Sequence, residues 1–94
     1  MWSIKTLTQD GHVYGVITPK ADGQTAFPPS HGKEGFQEAK RQGAEEVWFV
    51  CRVWEGDPNG WRFERVLPDG TTAGYSTKPP SWLVAARWPG LPSP

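Results

Sequence analysis

One run constrains this chain more than any other: from Val47 to Val53 every odd-numbered residue is apolar. Successive side chains of a strand point to opposite faces of a sheet. Glu46 to Glu55 therefore reads as a strand with Val47, Phe49, Cys51 and Val53 turned into a core. Its other parity holds Trp48, Val50, Arg52 and Trp54, an unusual set for a face in water. A strand of this kind needs a sheet around it, and the rest of the sequence supplies the pieces of one.

Trp2 to Thr8 favours extended structure, Gln9-Asp10-Gly11 is a turn signal, and His12 to Thr18 continues as a second run, so the two read as a hairpin. Pro19 stops the second run and Ala21-Asp22-Gly23 makes a tight turn. Gln24 to Phe27 is a short third strand ended by Pro28-Pro29. Helix formers then fill Lys33 to Gln42, with Phe36 and Ala39 on one face, Ser30 as an N-cap and Gly43 at the C-cap. After the central strand, Asp57-Pro58-Asn59-Gly60 carries the Asn-Gly hairpin signal, and Trp61 to Val66 is the fifth strand. Beyond Leu67 the pattern loosens. Pro68-Asp69-Gly70 turns the chain, Thr71 to Thr77 suits one more strand, and Ser81 caps a short helix through Arg87.

The expected organisation is one domain, mainly β. A five-stranded β-β-β-α-β-β barrel spans residues 1–67 with its helix at about 33–42. A C-terminal extension, 68–88, packs on the barrel, and a proline-rich tail, 89–94, follows. The length of 94 residues suits a single core that removes about two-thirds of the unfolded surface. Gly 11 and Pro 10, roughly twice average usage, favour a loop-rich β architecture over a helix bundle. Cys51 is the lone cysteine, which excludes an internal disulfide and suits a small core residue. No leader-like or membrane-length apolar run occurs, so the expectation is a cytoplasmic protein.

The order of elements is that of an OB-fold, and the middle of the chain resembles cold-shock-domain proteins over about residues 3–66. The likeness lies in Ser3-Ile4-Lys5, Tyr14-Gly15-Val16-Ile17-Thr18-Pro19, Asp22-Gly23, Phe27, Ser30, Gly35-Phe36, Gly43, Glu46-Val47, Phe49 and the Gly56-Asp57-Pro58-Asn59-Gly60 turn. The resemblance implies a barrel that stacks single-stranded RNA or DNA on aromatic side chains. The family's platform is mostly replaced here: Leu7 stands at a usual tryptophan, His12 at a lysine, Val16 at a second aromatic, and Ala26 and Pro28 at Phe and His. Tyr14 alone remains, and one stacked ring contributes about 1–3 kcal/mol.

Two surfaces are candidates for binding. Tyr14, Phe27 and Trp61 with Lys5, Lys20, Arg52 and Arg62 would form a groove in which rings meet bases and cations meet phosphates. Ordinary amphipathic strands with solvated Lys and Arg explain the same residues. Alternatively Trp48, Val50 and Trp54, with Trp82 and Trp88 of the extension, would form an apolar docking patch for a protein. The bland reading of that set is a second small core, in which Trp82, Leu83 and Trp88 fold back over Trp48 and Trp54. His12 and His31 are expected near each other through pairing of Gln24–Phe27 on His12–Thr18, but their spacing matches no zinc motif. No metal or cofactor is expected.

No nucleophile elbow, phosphate-cradling loop or H-E-x-x-H motif occurs. Asp10, Asp22, Asp57 and Asp69 sit in turns, where Asp serves the backbone. These features point to a non-enzymatic binding module. A net charge of zero removes the electrostatic case for duplex DNA or anionic membranes. Two ligand classes remain: single-stranded nucleic acid, or a protein partner, including a second copy in a homodimer. A small chain without catalytic motifs suits an inhibitor, adaptor or phage-type counter-defence protein.

Overall fold

A computed structural model describes residues 2–19, 29–52, 60–89 and 91. The elements are β1 (Trp2–Gln9), β2 (His12–Pro19), α1 (Pro29–Arg41), β3 (Glu46–Arg52), β4 (Trp61–Val66), β5 (Thr72–Ser76) and α2 (Ser81–Ala85). The strands form one mixed sheet in the order β1-β2-β3-β4-β5. β2 and β3 are parallel, joined through α1, and the other neighbours are antiparallel.

Turn chemistry sets the first hairpin. Asp10 and Gly11 both take positive φ, 52° and 79°, as a two-residue loop matched to strand twist requires. Gln9 then opposes His12, and the register runs back to Trp2 opposite Pro19.

α1 begins at Pro29, four residues earlier than the sequence suggests. Pro29-Ser30 is a helix start: proline's fixed φ suits the first turn, where its missing N–H costs nothing. The other end follows the sequence. Gly43 takes φ 99°, its N–H reaches the Lys40 carbonyl at 3.0 Å, and the Ala44 N–H reaches that of Ala39 at 3.0 Å. These two bonds are a Schellman cap, and Lys40 and Arg41 place positive charge at the same end.

The sheet has a core on each face. On one side α1 packs over Ile17, Val47, Phe49, Cys51 and Val66, with Trp2, Ile4 and Phe36 at the margin. α1 lies close because its inward residues are Gly32, Gly35 and Ala39. A Cβ on Gly35 would come 2.6 Å from Ile17 Cδ1, and one on Gly15 would come 2.7 Å from Ala39 Cβ. On the other side Val16, Val50, Trp61, Phe63 and Leu83 form the second core, edged by Leu7, Trp48, Trp82, Trp88 and Leu91. Central strands covered on both faces explain why β3 is apolar at both parities.

This architecture departs from the expected barrel. The sheet is open, and β1 and β5 are its edges among the described residues. The edge of β2 away from β1 is taken by β3 in parallel, with Tyr14 to Ile17 paired to Glu46 to Phe49. Gln24–Phe27 and the Asp57-Pro58-Asn59 turn lie outside the described residues. The expected late strand is β5, and the expected terminal helix is α2. α2 starts at Ser81 with Pro80 as its N-cap and no side-chain cap bond, so Ser81 does not cap it.

Candidate functional site

The edge strand β1 and helix α1 enclose a cleft of about 600 Å³. Trp2 and Ile4 form its strand side. His31, Glu34, Gly35, Gln37, Glu38 and Arg41 form its helix side. The helical residues recur at three- and four-residue spacing, which places them along one face of α1. Trp2 is the anchor: its Nε1 donates to His31 Nδ1 at 2.8 Å, and its ring meets Phe49 edge-on at a centroid distance of 5.6 Å. His31 accepts through Nδ1. Arg41 is paired with Glu38, and Gln42 Nε2 also donates to Glu38 at 3.2 Å. A rim of acids, a base, an amide and an imidazole over an apolar floor can hold an extended chain segment. Among its described lining residues there is no nucleophile–base pair.

The surfaces expected from sequence are arranged differently. Tyr14 is stacked on Trp82 of α2, ring centroids 4.1 Å apart and parallel within 1°. Trp48 is tilted against the same indole at 5.9 Å. Trp61 is 6 % exposed, with the Arg52 guanidinium 5.4 Å above its ring. Lys5 is exposed, and its partner Val16 puts it on the α2 side of the sheet. Arg62 opposes Cys51 on the α1 side and meets Glu64 at 3.3 Å. Of the nucleic-acid set, then, Arg52 and Trp61 come together, Tyr14 is joined to Trp82, and Arg62 lies across the sheet. Phe27 and Lys20 are outside the described residues.

Of the protein-docking set, Val50 is buried and Trp48, Trp82 and Trp88 are half-buried in the second core. Trp54 is outside the described residues. The fold-back of the extension over Trp48 is therefore the arrangement found.

His12 and His31 are separated, contrary to expectation. His12 faces Glu45 at 3.2 Å at one end of β2, and His31 binds Trp2, which opposes Pro19 at the other end. Seven residues of strand put these ends roughly 23 Å apart. Among the described residues no cluster of three His, Cys, Asp or Glu could hold a metal. Burial pushes the Cys51 thiol up, away from nucleophilic character. Asp69 accepts from the Thr71 N–H and hydroxyl at 3.0 and 2.6 Å, serving its turn as expected. Those bonds hold its carboxyl below the usual range. No described helix is long and apolar enough to cross a membrane.

Sequence reading missed the cleft. Its signals were present: Trp2 and Ile4 share a parity in β1, and His31, Glu34, Glu38 and Arg41 fall at helical spacing. Nothing in the sequence says that α1 lies along β1.

Compared with known proteins, the chain matches no protein-family model, no curated protein and no solved structure.

Proposed function

We propose that this chain is a non-enzymatic protein-interaction module that receives an extended segment of a partner along β1, beside the α1 cleft. The observation that carries this reading is the coincidence of an edge strand and a cleft floored by that strand's own Trp2 and Ile4. Strand addition uses such sites: the backbone gives affinity, and alternate side chains enter the groove. The self-occupied rings of the opposite face favour a protein ligand over the single-stranded nucleic acid that the cold-shock resemblance implies. Stacking on Tyr14 competes with Trp82, and Trp61 lies beneath Arg52.

The test is selection from a random-peptide display library on sparsely immobilised protein, with the recovered peptides measured by fluorescence anisotropy. Binding should be lost in Thr6→Pro, which removes an edge donor. Recovery of no such peptide, together with quenching of tryptophan fluorescence by oligothymidylate or oligouridylate that weakens steeply with salt, would overturn the reading in favour of nucleic acid.

A further inference from the structure

The hairpin register fixes which backbone groups β1 offers. Across a two-residue turn, Gln9 and His12 exchange both backbone bonds, and the pattern then alternates. Leu7, Lys5 and Ser3 point their N–H and C=O groups at β2. Ile4, Thr6 and Thr8 point theirs away from it. An independent contact agrees: the Val13 carbonyl, opposite Thr8, accepts from Glu45 N–H at 2.7 Å on the β3 side. Among the described residues no backbone bond reaches the outward groups of Ile4, Thr6 and Thr8.

Natural sheets guard such edges with proline, lysine and other charges, bulges or short length. The β5 edge is guarded: it has five residues, its pairing shifts register, and Gly74 takes φ 74°. β1 is eight residues long, contains no proline and pairs without a bulge. Its one charge, Lys5, lies on the face away from the cleft. Lys5 is its one guard among the described residues, and an edge of this length is a pairing surface.

We infer that the occupant of this edge is a second copy of the chain, β1 pairing antiparallel with its symmetry mate about a two-fold axis at Thr6. The inference rests on the reading of β1 as a docking edge. The edge is self-complementary. Thr6 meets Thr6 and Ile4 meets Thr8 on the α1 face, where β-branched side chains pack well across strands. On the other face Lys5 meets Leu7, so no like charges are opposed. The cleft-facing row of α1 runs from acid to base, Glu34 and Glu38 and then Arg41. Ala39 lies over Gly15, the partner of Thr6, so a two-fold axis normal to the sheet at Thr6 brings the last turns of two antiparallel helices together, with Glu38 of each toward Arg41 of the other. Zero net charge leaves no long-range repulsion between copies. A closed two-fold contact is also the commonest way for one patch to satisfy itself.

Sedimentation equilibrium over a range of concentrations tests this. The wild-type protein should show twice the monomer mass, and Thr6→Pro should be monomeric. The Thr6 N–H points outward, so the proline leaves β2 pairing intact, and circular dichroism reports whether the fold is kept. Thr6→Cys gives a second readout: residues facing each other at a hydrogen-bonded pair stand about 5.5 Å apart at Cα, within disulfide range. Mild oxidation should link Thr6→Cys into a covalent dimer and leave Lys5→Cys unlinked. A wild-type protein that stays monomeric overturns the second-copy inference. If peptides are still captured in a Thr6-dependent manner, the docking reading survives that result. A dimer that persists in Thr6→Pro and does not cross-link through Thr6→Cys places the contact on another face and overturns the inference as well.

Discussion

Tyr14 and Trp82 stack in parallel with 4.1 Å between ring centroids, and this contact fastens the C-terminal extension to the middle of the sheet. The indole Nε1 of Trp82 is buried and finds no hydrogen-bond partner among the described residues. The ring therefore stabilises through its area and pays the desolvation of its N–H. Trp82→Ala should lower stability by about 2–3 kcal/mol, below the range for a fully buried tryptophan. Trp82→Phe should cost under about 1 kcal/mol, because it also removes the unsatisfied donor. Urea denaturation of the three proteins measures both values. A large loss in Trp82→Phe would show that the N–H has a partner.

Neighbouring residues of α2 should differ sharply. Leu83 is fully buried and Val84 is 39 % exposed. Leu83→Ala should cost about 2–5 kcal/mol, and Val84→Ala should stay within about 0.5 kcal/mol. Equal midpoints for the two variants would mean that α2 does not pack on the sheet in solution.

The approach of α1 to the β4–β5 turn depends on two glycines. A Cβ on Gly32 would meet the Gly70 carbonyl, and one on Gly70 would fall within 2.5 Å of the Lys33 nitrogen and closer still to the Pro29 carbonyl. Gly70 also takes φ 90°. Gly70→Ala combines a backbone clash with a strained conformation and should cost at least about 2–3 kcal/mol. Gly35→Ala should cost less, because its obstacle is the movable tip of Ile17. Thermal melts rank the variants, and Gly35→Ala melting below Gly70→Ala would refute the packing described.

Glu45 ties the end of the α1–β3 connection to β2, accepting from the Val13 N–H at 2.8 Å. That bond, with His12 beside it, holds the carboxyl below its usual value. A depressed carboxyl stabilises the fold above the unfolded value and loses its contribution as pH falls through the folded one. Wild type should therefore exceed Glu45→Gln in stability by a constant margin at neutral pH. The margin should shrink below about pH 4.3. Denaturant midpoints at pH 7, 5 and 3 are the measurement, and a margin that grows in acid would reverse the assignment.

The sequence alone determined the local structure of this protein. The parity of β3, the positive-φ turn at Asp10-Gly11 and the glycine that ends α1 each follow from short-range sterics and hydrogen bonding, and each is where the residues put it. The clustering of Trp48 with Trp82, Leu83 and Trp88 was legible as one of two readings, because an apolar face of that size needs a cover. Tertiary structure alone decided the rest. That β3 pairs in parallel with β2 is a non-local choice, and parity is blind to it. The parallel pairing with β3 holds the sheet open and leaves β1 at its edge. It also brings α1 against Trp2 and Ile4, so the cleft exists only because of a pairing between residues more than thirty positions apart.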